Sequence, residues 1–131
     1  MSTNLIARLR ELGIRRTKYT EPWLKALRGD KYKQGKGYLE ADGKFCCMGV
    51  ANVVCKFGDT NNRGLSVTNT AKLFGVTNFR TGGYLVDYPI SQEIQCVLAS
   101  ANDGSRGHAK LSFATIADAI EAAVNEGDKN G

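Results

Sequence analysis

The chain has 131 residues, 42% of them hydrophobic and 24% charged, the composition of one soluble globular domain. A domain of that size hides about two-thirds of its extended-chain surface, so it needs no disulfide or metal to fold. No apolar run approaches the roughly 20 residues of a membrane span and residues 1–13 carry no signal-peptide core, which excludes membrane-spanning, collagenous and wholly disordered classes and points to the cytoplasm.

The net charge of +5 is uneven: residues 1–36 hold ten Lys/Arg against three Asp/Glu, and the remainder eight against ten. A basic N-terminal quarter attracts phosphates, acidic proteins or nucleic acid through its field. The alternative is a solvated helix face with no partner.

Leu5, Ile6, Leu9 and Leu12 fall at helical spacing and predict a helix from about Asn4 to Leu12, ended by Gly13. A second helix follows, with Thr20 as N-cap, Pro22 in its first turn, Tyr19 and Leu24 as a hydrophobic staple, and Gly29 at its close. Trp23, Leu24 and Leu27 form its apolar face, and a lone Trp in such a stripe is usually core. Asp42-Gly43 reads as a tight turn between strands Tyr38–Glu40 and Lys44–Cys46. Cys47, Val50, Ala51, Val54 and Cys55 mark a third helix from Cys47 to Phe57, with Gly58 as its C′ residue and Asp59–Gly64 as a loop.

A short helix over Ser66–Phe74, capped at Thr68 and ended by Gly75, comes next. Asn78–Tyr88 is strand-like up to Pro89. Ser91 then caps a helix with Ile94, Val97, Leu98 and Ala101 on one face, and Asn102–Lys110 is a loop. The last helix starts at Ser112, buries Phe113, Ile116, Ala117, Ile120 and Val124, and ends at Gly127, leaving residues 128–131 as a frayed tail. About five helices and a small antiparallel hairpin, with no βαβ alternation, predict a predominantly helical α+β fold in a single domain.

Four cysteines, Cys46, Cys47, Cys55 and Cys96, stand without a Cys-x-x-Cys pair and read as thiols. Cys46 falls where a strand enters a helix, a place where backbone N–H groups lower a thiol pKa. As a nucleophile it would draw on Gln34 for an oxyanion hole, on His108 as base, and on Asn102 or Asp103 to orient the imidazole. The competing reading is a small buried core residue. Structural zinc is not expected, since adjacent Cys46 and Cys47 are awkward ligands and Cys47 and Cys55 lie about 12 Å apart along a helix. Nor is a DNA-reading helix-turn-helix, because the connector between the last two helices is too long.

From Lys31 to Tyr38, Lys31, Lys33 and Lys36 alternate with Tyr32, Gln34 and Tyr38 among glycines. Lysines neutralise phosphate, glycine permits close backbone approach, and tyrosine stacks on a base. The pattern is not a P-loop.

Trp23, Ala26, Leu27, Gly29, Tyr32, Gln34, Gly35, Gly37 and Leu39, followed by Cys46-Cys47-Met48-Gly49-Val50, resemble a family of small bacteriophage proteins of unassigned activity. A second block, Leu98, Asn102-Asp103, Ser112-Phe113-Ala114, Ile116-Ala117 and Ile120-Glu121, is similar to that family's C-terminal end. The resemblance implies a phage accessory protein acting in the cytoplasm of an infected bacterium, in host inhibition or counter-defence.

The expected function is therefore binding without catalysis, cofactor or metal. Lys31, Tyr32, Lys33, Gln34, Lys36 and Tyr38, together with Arg15 and Arg16, would hold a host bacterial protein or a phosphorylated nucleotide. A cysteine-dependent hydrolase or transferase centred on Cys46 is the second reading, and a non-specific nucleic-acid binder the third. No membrane partner is expected, and a homo-oligomer is compatible with the sequence.

Overall fold

The computed structural model describes residues 3–76, 90–104 and 110–130. Among these lie six helices and a three-stranded sheet: α1 (Thr3–Glu11), α2 (Thr20–Arg28), β1 (Lys33–Gln34), β2 (Glu40–Ala41), β3 (Lys44–Phe45), α3 (Cys47–Val54), α4 (Val67–Phe74), α5 (Ile90–Asp103) and α6 (Phe113–Asn130). The fold is α+β and predominantly helical. None of these helices is long and apolar enough to cross a membrane. The strand-like stretch Asn78–Tyr88, with Pro89 and His108, lies outside the described residues.

α6 is the central helix, packed by α1, α2 and α5, while α3 is wedged between α2 and α5. The periodic residues read from the sequence supply the core: Leu9, Leu24, Val50, Ile94, Leu98 and Ile116 are all fully buried. Trp23 is core as well. Its indole N–H donates to the Cys47 carbonyl at 2.9 Å, and its ring meets the edge of Phe74 at 5.5 Å.

Several helix ends differ from their sequence signals. Thr20 lies inside α2, buried, and its hydroxyl accepts the Thr17 N–H at 2.8 Å. Thr17 shapes the entry instead, its own hydroxyl accepting the Tyr19 N–H at 3.2 Å and donating to the Leu73 carbonyl at 3.0 Å. α3 stops at Val54 because Lys56 turns left-handed (φ +58°) before Gly58 is reached. Ser66, not Thr68, caps α4, accepting the Asn69 N–H at 3.1 Å. Ser91 is buried within α5 and does not cap it. α5 also takes in Asn102 and Asp103, which the sequence places in a loop, and closes at left-handed Gly104. α6 passes through Gly127 to Asn130, so the tail expected to fray is helical that far; an interior glycine costs a helix only about 1 kcal/mol and does not by itself end it.

The sheet is mixed rather than antiparallel, in the order β1-β3-β2. β2 and β3 form the expected hairpin, with Glu40 opposite Phe45 and Ala41 opposite Lys44. Asp42 (φ +54°) and Gly43 (φ +77°) both adopt the left-handed conformation that a two-residue hairpin turn of matching twist requires. β1 adds in parallel to β3, pairing Lys33 with Lys44 and Gln34 with Phe45. The first turn of α3 then lies directly on the backbone of Leu39. A methyl group at Gly49 would overlap the Leu39 carbonyl, so only glycine fits there.

Candidate ligand-binding site

The parallel pairing of β1 aims Gln34 into the protein, where both ends of its amide are engaged. Its Nε2 donates to Asn102 Oδ1 at 3.0 Å and to the Leu111 carbonyl at 2.8 Å, while its Oε1 accepts the Phe113 N–H at 3.1 Å. Asn102, fully buried, completes the network. Its Oδ1 also accepts the Cys47 N–H at 3.3 Å, and its Nδ2 donates to the Gly35 carbonyl at 2.8 Å and to Asp103 Oδ1 at 2.9 Å. Asp103 in turn accepts the Gly37 N–H at 3.3 Å. Buried polar groups must find partners, and here two amides satisfy the ends of β1, α3 and α6 together. Gln34 is thus a fastener, and its amide nitrogen, the expected oxyanion donor, is committed to Asn102 and Leu111.

Burial also weighs against Cys46 as the nucleophile of a hydrolase. Cys46 occupies the N-cap of α3, and its Sγ accepts the Gly49 N–H at 3.4 Å. The helix terminus favours the thiolate, as the sequence suggests, but burial opposes it more strongly and pushes the Cys46 thiol up. Burial raises Cys47 further still, with added repulsion from Cys46 and Asp103. Cys55 is pushed up to about 11, again by burial. A protonated, buried thiol is a poor nucleophile. Among the described residues there is also no group of three or more His, Cys, Asp and Glu side chains able to hold a metal ion.

The basic N-terminal quarter divides in two. Its arginines meet carboxylates of the helices they pack against: Arg8 pairs with Glu93 of α5, Arg10 with Glu126 of α6, and Arg16 with Glu21. Arg28 bridges Asp118 at 2.8 Å and Glu121 at 2.7 Å on α6. Arg16 also bonds Asn125 of α6. Asn125 lies twelve residues beyond Phe113, where Gln34 binds, about 18 Å along the helix axis. Arg16 and the Lys31–Tyr38 segment therefore do not form one patch; Arg15 precedes Arg16 and donates its N–H to the Phe74 carbonyl on α4.

The lysines are different. Lys36 and Tyr38 line an open cleft of about 410 Å³ with Gln34, Gly35, Asp42, Lys44 and Lys110. Lys33 is the register partner of Lys44, so two lysines stand side by side on adjacent strands. None of Lys33, Lys36, Lys44 and Lys110 forms an ion pair among the described residues. Like charges in register destabilise a sheet, and Asp42 offers one carboxylate against three lysines at the cleft. Tyr38 is 44% exposed, with the Arg63 guanidinium 5.7 Å from its ring centroid. Lys31 stands beside the Tyr32 ring at 5.5 Å, and that ring packs edge-on against Phe45 at 5.3 Å, so Tyr32 supports the sheet.

Sequence reasoning missed Lys44, Lys110 and Arg63. The Asp42-Gly43 turn could have found Lys44, because it sets the strand register that brings Lys44 beside the cleft. No local signal joins Lys110 or Arg63 to this site.

Residues 15–77, just under half of the chain, match the model of a family described as a domain of unknown function (DUF8296). No curated protein and no solved structure matches the chain. The matched stretch carries Lys36, Tyr38, Lys44 and the Cys46-Cys47 pair; Asn102 and Lys110 lie beyond it.

Proposed function

We propose that this protein is a non-enzymatic binding protein that holds a phosphorylated small molecule in the lysine-rimmed cleft. The observation that carries the reading is the convergence of Lys36, Lys44 and Lys110 on one cleft without ion-pair partners among the described residues, while Arg10, Arg16 and Arg28 are paired with carboxylates. An anion would relieve the repulsion among the lysines and gain charge-assisted hydrogen bonds from them. At about 410 Å³ the cleft falls in the size range of small-molecule sites, which favours a small ligand over a protein surface. The resemblance to small bacteriophage proteins supports a place in the cytoplasm of an infected bacterium, where withholding a phosphorylated nucleotide signal would blunt a host response.

Calorimetric titration with inorganic tripolyphosphate tests this. Binding should be measurable near ~50 mM salt and fall steeply toward ~500 mM, as counter-ions screen and compete. Lys36→Glu with Lys44→Glu should lower affinity by at least about tenfold, since each charged hydrogen bond is worth roughly 1.5–3 kcal/mol. An affinity that ignores both salt and the double substitution would overturn the assignment, as would no binding at all.

A further inference from the structure

A second cavity, of about 240 Å³, shares no lining residue with the lysine cleft and meets it through one contact, Arg63 against Tyr38. Leu39, Met48 and Leu65 give it apolar walls, Cys96 and Gln92 line it from α5, and Arg63 stands at its edge. Arg63 is also the residue stacked on Tyr38 of the lysine cleft, at 5.7 Å. The Tyr38–Arg63 pair is therefore the partition between a cationic compartment and a largely apolar one. By volume, the smaller compartment alone is below the usual range for a whole small-molecule site, but it suits one portion of a ligand whose remainder lies across the partition.

Resting on the anion reading of the lysine cleft, we infer that the two compartments together form a bipartite site for a nucleoside phosphate. The phosphates lie among Lys36, Lys44 and Lys110, and the base lies between Leu39, Met48 and Leu65. The apolar walls suit the faces of a heterocycle. The Gln92 amide, partly buried and without a hydrogen-bond partner among the described residues, suits its polar edge. An aliphatic chain would leave that amide unmet. Arg63, next to both compartments, is placed to stack on the base or to meet the phosphate chain.

The test compares inorganic tripolyphosphate with ATP, GTP, CTP and UTP, which carry the same phosphate chain. At least one nucleotide should bind about tenfold more tightly than tripolyphosphate or better, and should protect the Cys96 thiol from a maleimide where tripolyphosphate does not. Ala99 also lines the second cavity, and Ala99→Phe, which fills it, should erase the nucleotide's advantage and leave tripolyphosphate binding intact. Gln92→Ala, a mild change on the surface of α5, should reduce that advantage several-fold without touching the fold. If every nucleotide binds no more tightly than tripolyphosphate, the base compartment is refuted and the anion cleft stands. If tripolyphosphate itself fails to bind, the anion reading falls and this inference falls with it.

Discussion

The stretch from Lys33 to Phe45 presents two sides of opposite character. On its inner side, Gln34 and the backbone of Gly35 are tied by Asn102 and the start of α6. On its outer side, Lys33, Lys36 and Lys44 extend without carboxylate partners among the described residues. A polar residue with all its partners supplied by the fold reports how the chain is held. A cluster of like charges left unmet is what the proposed anion site rests on. By that measure the arginines of α1 and α2 resemble Gln34 more than they resemble the lysines, although charge counting groups them with the latter.

Substitutions sharpen this contrast. The largest effect is expected at Gly49, under the hairpin: Gly49→Ala drives a methyl group into the Leu39 carbonyl and should cost more than about 4 kcal/mol or prevent folding. Circular dichroism with urea unfolding would show it, and near-native stability would mean that the hairpin does not rest on α3. Asn102→Ala comes next. It strips partners from the Cys47 N–H and the Gly35 carbonyl, at roughly 1–3 kcal/mol for each buried group left unmet. The same unfolding measurement should find about 3 kcal/mol lost; a loss under about 1 kcal/mol would demote the amide network to a surface feature.

The smallest effect is expected at Arg28. Arg28→Gln removes a forked surface ion pair worth no more than about 1 kcal/mol and should leave tripolyphosphate affinity unchanged. A large drop in affinity would place the arginine face in the binding surface after all and erase the distinction between the two groups of cations.

Most of the helical framework was legible in the sequence because it is local. Apolar spacing marked the buried faces of α1, α2, α3, α5 and α6, and Asp42-Gly43 marked the hairpin. Their ends were less legible where tertiary contacts compete with capping signals, as when Thr17 displaced Thr20 and burial took Ser91 into α5. The parallel β1 strand was not legible: two residues, Lys33 and Gln34, carry no period, and their pairing is set by Asn102, 68 positions from Gln34. The candidate site shows the same division. Lys36 and Tyr38 could be named from a short motif, whereas Lys110 and Arg63 reach the cleft only through the closed fold.

Gln34 finds its acceptors and its donor in Asn102, Leu111 and Phe113, all outside the stretch 15–77 that matches a known family. That stretch is therefore not self-sufficient. Cut out and expressed alone, it would leave an amide, the Gly35 carbonyl and the Cys47 N–H facing water or one another. Moved into another chain, the stretch would keep these contacts only where the recipient supplied a complementary amide and a helix start, so its portability is set by a debt of hydrogen bonds rather than by its lysines.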